Sequence, residues 1–407
     1  MEMKKFLALL LSLIMVLSIV ACTQKPATSD AEDEEVVDGE VEIPSDIKVG
    51  FIFIGDENEG YTYAHYIGSL EMKEALGLSD DQVIYKWNIP ENEAAYDAAV
   101  DLAEQGCTII FANSFGHEDY MLQAASEYPD VQFCHATGYK ASTSGLDNAH
   151  NYFTAVYESR FVSGVVAGMK LAELYGADTD AVIGYVGAFS YAEVKSGYTA
   201  FFLGIKSVCP NVTMKVKYTG SWADQALEKE TAEALIAEGC LLIGQHADTT
   251  GAAAAAEAAG VYDVGYNVSM IEAAPNYALT SASIKWAPYY TYAVECVMNG
   301  EAIDVDWCKG YVDGAVWITE LNEAAIAEGT VENVEEVWAA IESGELKVFD
   351  TATWTVDGET ITSTVDIEGF YGVEYISEDG YFMESEHASA PAFAFVIDGI
   401  TELNAMF

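Results

Sequence analysis

The chain has 407 residues, 66 acidic and 17 basic side chains, and a formal charge of −49 at pH 7. With 51% hydrophobic and 12% aromatic side chains it can bury large cores, so wholesale disorder is excluded, and its length suggests two or three domains. Its single arginine, Arg160, excludes a grip on nucleic acid or on anionic lipid, both of which need clustered basic groups.

Met1 to Ala21 reads as an export signal. Lys4 and Lys5 lead an apolar run, Phe6 to Val20, that is short for a membrane span. The run ends in Ile19-Val20-Ala21-Cys22, which resembles the bacterial lipobox. That predicts lipidation of Cys22 and anchoring to the cell membrane outside the cytoplasm. Residues 22–46 become acidic, with Asp30, Glu32, Asp33, Glu34 and Glu35, and show no apolar period; they read as a solvated tether.

The body alternates strand and helix. Strands are predicted at Ile47 to Ile54, Val83 to Trp87, Thr108 to Ala112 and Val131 to His135, from short apolar runs. Between them, helical spacing covers Tyr61 to Leu76, Asn92 to Gln105 and Asp119 to Glu127. The same grammar restarts at Ala181. Strands are predicted at Ala181 to Val186, Thr213 to Tyr218, Leu241 to Gln245 and Tyr262 to Tyr266, with helices at Tyr191 to Val208, Asp224 to Ala237 and Ala252 to Ala259. Such alternation implies βαβ units and parallel sheets. Tyr157 to Leu174 links the halves as a helix whose Gly164 and Gly168 allow close packing. The expected organisation is a first lobe at 47–156 and a second at 157–278. Residues 279–344, with strands at Leu279 to Ile284 and Tyr311 to Ile318, are expected to return to the first lobe and form the hinge. Residues 345–407 read as an irregular C-terminal extension. Cys107, Cys134, Cys209, Cys240, Cys296 and Cys308 form no CxxC pair, and no disulfide framework is expected; Cys107, Cys134 and Cys240, in or beside predicted buried strands, read as small hydrophobes.

In open parallel sheets, ligands bind outside the carboxyl ends of the strands. The segments there are Gly55 to Thr62, Asn113 to His117, Ala136 to Tyr139, Gly187 to Phe189, Gly220 to Asp224 and His246 to Asp248. They are rich in aromatic rings, short polar side chains, carboxylates and glycines. That mixture suits a flat, uncharged or weakly basic ring, its faces sandwiched by aromatics and its N–H donors met by carboxylates.

These segments resemble the basic membrane protein family of ABC-importer substrate-binding lipoproteins, the purine nucleoside receptor A-like group. The likeness runs from about Lys48 to Asn322. It is carried by Gly55-Asp56-Glu57-Asn58-Glu59-Gly60-Tyr61-Thr62-Tyr63-Ala64-His65, Ser114-Phe115-Gly116, Tyr128 to Phe133 and His135 to Tyr139. Arg160 to Gly168, Gly184 to Phe189, Ser221 to Asp224, Gln245 to Asp248 and Lys285 to Tyr290 continue it. The resemblance implies an α/β type I periplasmic-binding-protein fold, two Rossmann-like lobes joined by three crossovers. It also implies a purine base or nucleoside in the cleft, an ABC permease as partner, a monomer, and no cofactor. By position, Tyr61 stands where the nearest branch has tryptophan, Phe115 and Phe189 match cleft aromatics, and Trp222, Asp224 and Asp248 match cleft-side residues. With Asp56, Thr62, Thr137, Gly138, Tyr266, Asn267 and Trp286 they make up the candidate ligand-binding set. Asn267 and Ser269 occupy positions where relatives often carry acids that can hold ribose. Charged hydrogen bonds contribute about 1.5–3 kcal/mol and neutral ones about 0.5–1.5 kcal/mol, so the change tilts the expectation towards a free base.

Blander roles stand beside these. His65, His117, His135 and His246 lie on separate segments without metal-ligand spacing and read as satisfied polar groups. Arg160 reads as a structural ion pair or a ligand contact, and Asp56 as a helix cap or a ligand contact. Phe115, Phe189 and Trp222 read as cleft or core. Trp286 with Tyr289 and Tyr290 reads as lobe packing or ligand contact. Asp224 reads as an N-cap that can also face the cleft. Glu228, Glu230 and Glu233 read as a solvated helix face. An enzyme is not expected, since GxSxG, Walker A, HExxH and GxGxxG motifs are lacking. A sensory or surface lipoprotein binding another small molecule is the alternative.

Overall fold

The structure, a computed structural model, describes residues 47–405. The export signal, Cys22 and the tether lie outside the described residues. No helix among the described residues is long and apolar enough to cross a membrane.

The first sheet gathers β1 (Val49–Ile52), β2 (Val83–Lys86), β3 (Ile109–Ala112), β4 (Gln132–Ala136), β5 (Ala149–Thr154) and β11 (Asp306–Lys309). Its order is β11-β5-β4-β3-β1-β2, and every pairing is parallel. Parallel neighbours need a crossover. Helices α1 (Gly60–Ala75), α2 (Glu93–Glu104), α3 (Glu118–Glu127) and the single turn α4 (Ala141–Ser144) lie in those connections. One face of the sheet packs Phe51, Phe111 and Tyr152 against Trp286, Tyr289 and Tyr290; the other packs Ile110 and Phe133 against Leu102 and Met121.

The second sheet contains β6 (Val182–Gly187), β7 (Thr213–Tyr218), β8 (Leu242–Gln245), β9 (Tyr262–Tyr266), β10 (Ala278–Ile284), β12 (Val316–Ile318) and β13 (Ile400–Glu402). Its order is β12-β10-β9-β8-β6-β7-β13, parallel except where β12 runs against β10. Helices α5 (Val156–Tyr175) and α6 (Ala192–Val208) cover one face, and α7 (Gln225–Ala237) and α8 (Gly251–Ala259) the other. The chain passes between sheets three times: from β5 into α5, from β10 into α9 (Ala287–Asn299), which packs on α1, and from β11 to β12.

Two expectations need correction. Leu279 to Ile284 does not return to the first lobe, because β10 pairs with β9 of the second sheet. Only α9 and β11 return, and the stretch predicted as one strand over Tyr311 to Ile318 is a 3-10 turn at Tyr311–Asp313 followed by β12 on the second sheet. Strands β5, β11 and β13 and helices α9 and α10 (Thr330–Glu342) were not expected from apolar runs. In β5 the buried residues include His150 and Asn151, which break the apolar run but are hydrogen-bonded inside.

Gly164 of α5 and Gly204 of α6 let these helices touch. A Cβ on Gly164 would lie 2.1 Å from the Phe201 carbonyl oxygen, and one on Gly204 2.0 Å from that of Phe161. The expected closeness at Gly168 is milder, 3.0 Å to the Ile205 carbonyl oxygen. The six cysteines of the described residues are free, and all but Cys308 are buried.

Asp263 of β9 is fully buried, and neither of its carboxyl oxygens has a hydrogen-bond partner among the described residues. Burial pushes its carboxyl up to about 8. Between its unfolded value near 4 and about 8, the folded chain holds a proton that the unfolded chain has released, so stability falls as pH rises through that window. Asp263→Asn is therefore expected to match the wild type near pH 4 and to exceed it by as much as about 5 kcal/mol at pH 9. Urea unfolding of both chains at the two pH values checks this; an unchanged gap would show that the carboxyl is not held protonated.

A cleft at the carboxyl ends of both sheets

A cavity of about 970 Å³ lies at the carboxyl ends of the strands of both sheets. Asp56 and Glu59 follow β1, Asn88 follows β2, Asn113 to Phe115 follow β3, and Thr137 and Tyr139 follow β4. From the second sheet come Tyr191 and Glu193 after β6, Ser221 and Trp222 after β7, His246 and Asp248 after β8, and Tyr266 at the end of β9. Each connection must turn outward there to enter its helix, which leaves its first side chains facing the gap between lobes.

Of the predicted residues, Asp56, Tyr61, Phe115, Thr137, Trp222, Asp248 and Tyr266 line the cavity. Six others do not. Thr62 is buried, its Oγ1 accepting from Gly55 N and Asn113 Nδ2. Gly138 is packed against Asn151, Glu118 and His135. Phe189 backs the wall, 5.4 Å from Tyr191 and 5.0 Å from Trp222 between ring centres. Asp224 caps α7 by accepting from Ala226 N and Leu227 N. Asn267 is buried and donates to Asp248 Oδ1 at 2.8 Å. Trp286 is buried and stacks on His65 at 3.8 Å, edge-on behind Tyr61. The cap of α1 is Glu59, which accepts from Tyr61 N and Thr62 N, so Asp56 is free of that duty. Ser269 donates to Glu320 in an exposed pair, away from the cavity.

Aromatic rings form a band across the two lobes. Phe115 lies 6.4 Å from Tyr139 on its own lobe and 5.5 Å from Tyr191 on the other. The band continues through Trp222 and His246 to Tyr266. The lobes also meet at a backbone hydrogen bond, from Gly60 N to Asp248 O at 3.0 Å.

Below the rings sits a buried charge relay. The Arg160 guanidinium lies 3.5 Å above the Tyr266 ring and donates to Gln245 O at 2.7 Å and to His246 Nδ1 at 3.2 Å. Because Nδ1 accepts, Nε2 carries the proton and donates to Glu193 Oε1 at 2.9 Å. Burial holds His246 neutral, below its ordinary value. Burial alone would raise the Glu193 carboxyl, but His246 and Arg160 outweigh it and keep that carboxyl below the usual range. Asp248 is the opposite case: burial, with Glu59, Glu228 and Glu193 near it, pushes its carboxyl well above the usual range. The cavity therefore sets carboxyls held low, Glu193 by His246 and Arg160 and Asp56 by its bonds from Asn58, against one held high, Asp248, whose neutral form can donate as well as accept. Thr137 and Asn267 adopt left-handed backbone, φ 67° and 63°, strain of the kind that collects at binding sites.

The other histidines are internal bridges: His65 to the Tyr290 hydroxyl, His117 to Ile89 O and His135 to Ser114 O. Glu228 departs from the solvated face expected of it. It is buried and accepts from Thr249 N and Oγ1, tying α7 to the loop that carries Asp248; Glu230 and Glu233 are exposed. Sequence reasoning passed over Glu193, Tyr191 and Asn88, since nothing in their spacing marks them. It also passed over the extension, where Phe370, Tyr371, Tyr375 and Pro391 join the lining.

Residues 48–351 match the family description of PnrA-like ABC transporter substrate-binding proteins. Over 321 residues the chain is 34% identical to a purine-binding protein of Brucella abortus (strain 2308), a match spanning 77% of this chain and 88% of that one. Over 255 residues it is 30% identical to a Haloferax volcanii protein provisionally named an ABC transporter glucose-binding protein, 62% of each chain. Among solved structures, a solute-binding protein of an ABC transporter system from Conexibacter woesei superposes with a TM-score of 0.60 at 21% identity, covering 74% of this chain and 98% of that one. One from Aeropyrum pernix K1 gives 0.61 at 19% identity, covering 74% and 93%. These two likenesses carry the type I periplasmic-binding-protein fold.

Proposed function

Because the chain belongs to the PnrA-like family of ABC transporter substrate-binding proteins, we propose that its inter-lobe cleft binds a purine base or purine nucleoside for import. The chain is a solute-binding protein and not an enzyme. The observation that carries the ligand class is the pairing of the aromatic band with two buried carboxyls, Glu193 held low by His246 and Arg160 and Asp248 held high by burial. A purine presents a flat face for Phe115, Tyr191 and Trp222, and an edge on which ring-nitrogen acceptors and N–H donors alternate. Glu193 suits the donors, and protonated Asp248 can serve either. The relative from Brucella abortus, named for purine binding, supports the same reading.

In this reading ligand closes the lobes about the three crossovers, and the closed form presents both lobes to a permease. Cys22 anchors the chain to the outer face of the membrane through a lipid, and the acidic segment after it is the tether. The chain acts as a monomer.

Thermal unfolding of the full chain with adenine, hypoxanthine, adenosine, inosine and glucose tests the assignment. A ligand at 100 times its dissociation constant stabilises by about 2.7 kcal/mol. Stabilisation by a purine compound is expected, and stabilisation by glucose alone would replace purine with sugar. Trp222→Ala is expected to weaken purine binding about tenfold, since an aromatic pair adds about 0.5–1.5 kcal/mol beyond the area it buries. Calorimetric titration measures this, and an unchanged affinity would remove Trp222 from the site.

A further inference from the structure

The family match ends at residue 351, yet the cavity does not end with the two lobes. The extension is built into the second lobe: β13 pairs in parallel with β7, Ile400 opposite Met214, and Phe349, Trp354, Phe393 and Phe395 are buried in that lobe's core. It also reaches the first lobe, where Ser389 N donates to Asp306 Oδ1 of β11 at 2.6 Å. Between these anchors a loop turns towards the cleft. Glu374 closes its base, accepting from Ser363 Oγ at 2.5 Å, Thr364 N at 3.0 Å and Ile376 N at 2.8 Å, while Thr364 Oγ1 donates to Val373 O. Tyr371, with φ 52° between Gly369 and Gly372 at 96° and 79°, stands 95% exposed at the turn.

Chemistry divides sharply around the cavity. Every acidic side chain that lines it (Asp56, Glu59, Glu193 and Asp248) comes from the two lobes. The extension supplies aromatic rings and small apolar groups, among them Phe370, Tyr375, Ala390, Pro391 and Ala394. Its own buried acid, Glu384, is turned away to accept from Ser196 of α6. Moreover, about 970 Å³ remains while the lobes already touch through Phe115 and Tyr191 and through Gly60 and Asp248. That is near the upper end of ligand pockets, roughly 300–1,000 Å³, and leaves room beside a bare purine.

We infer that residues 369–394 form an apolar third wall of the cleft, and that the preferred ligand is a purine bearing a hydrocarbon substituent that packs on this wall. This rests on the purine reading given above. A ribose turned towards Phe370, Ala390 and Pro391 loses water from its hydroxyls without gaining partners, whereas a hydrocarbon group loses nothing and buries area.

Calorimetric titration of the full chain with adenine, adenosine and 9-propyladenine, and with glucose and propyl β-glucoside, tests the inference. The wild type is expected to bind 9-propyladenine at least tenfold more tightly than adenosine. Ala394→Asn, at an exposed position, and Ala390→Asn, at a half-buried one, are expected to cut that preference to threefold or less without changing the unfolding midpoint. Adenosine binding as tightly as 9-propyladenine, or a preference unmoved in both variants, overturns the wall. If no purine binds but propyl β-glucoside outcompetes glucose and the variants erase the difference, the wall stands and the purine reading falls. If no member of the panel binds, both fall.

Discussion

Arg160→Leu is expected to lower the free energy of unfolding by about 3–5 kcal/mol and to abolish ligand binding at neutral pH. Arg160 is 2% exposed, and its charge reaches Glu193 through His246. Leucine fills part of the space but leaves the Gln245 carbonyl and His246 Nδ1 without their donor and the buried Glu193 carboxylate without its cation. Removing one partner of a buried charged group costs far more than the group contributes when satisfied, because the orphan keeps its desolvation penalty. Burial would then push the Glu193 carboxyl up, and the cavity would lose its buried ionised acceptor. Arg160→Lys is expected to cost less, since it restores the charge, but one ammonium cannot reproduce the flat contact over Tyr266 and both donations at once. Urea unfolding with titration of the best-binding purine measures both effects. If Arg160→Leu unfolds at the wild-type midpoint and still binds, the relay is ornamental.

Gly204→Val is expected to prevent folding, and Gly204→Ala to cost about 4 kcal/mol or more. The obstacle is backbone: even the alanine Cβ would stand 2.0 Å from the Phe161 carbonyl oxygen, and no rotamer change relieves that. The helices α5 and α6 must separate, and their separation opens the core made by Val165, Phe201 and Leu203. Gly168→Ala, whose Cβ would stop 3.0 Å from a carbonyl oxygen, is expected to cost the about 1–3 kcal/mol typical of overpacking. Soluble yield and unfolding midpoints of the three variants decide the matter; equal losses at Gly204→Ala and Gly168→Ala would mean that closeness of approach does not set the cost.

Much of this fold was legible along the chain. Strands β7 and β9 coincide with the predicted Thr213 to Tyr218 and Tyr262 to Tyr266; in β7 the buried Met214, Val216 and Tyr218 alternate with Thr213, Lys215 and Lys217, the period-two pattern of a half-buried strand. The helix boundaries near Gly60 and Glu104 follow equally local signals. The cleft loops were legible for the same reason: once strands and helices alternate, the turn after each strand faces one end of a parallel sheet. Asp56, Tyr61, Phe115, Trp222 and Asp248 needed no more than that and the family likeness.

What the chain could not show by itself depends on pairing between distant segments. Asp306–Lys309 and Ile400–Glu402 are too short and too mixed to read as strands, and they become strands only because β5 and β7 present open edges to them. The place of Asn267 was equally hidden: its neighbours suggested a residue facing ligand, but its side chain turns inward to hold Asp248. Glu193 lies between ordinary helix-forming residues, and its role arises from Arg160 and His246, 33 and 53 positions away. Local periodicity thus determined the α/β alternation, the two lobes and the end of the sheets where a ligand sits, since those follow from hydrogen-bonding geometry and burial over a few residues. The third wall, the opposite shifts of the Glu193 and Asp248 carboxyls, and the side chains that face the cavity were decided only by tertiary structure, because each depends on packing, desolvation and charge contributed by segments far apart in the chain.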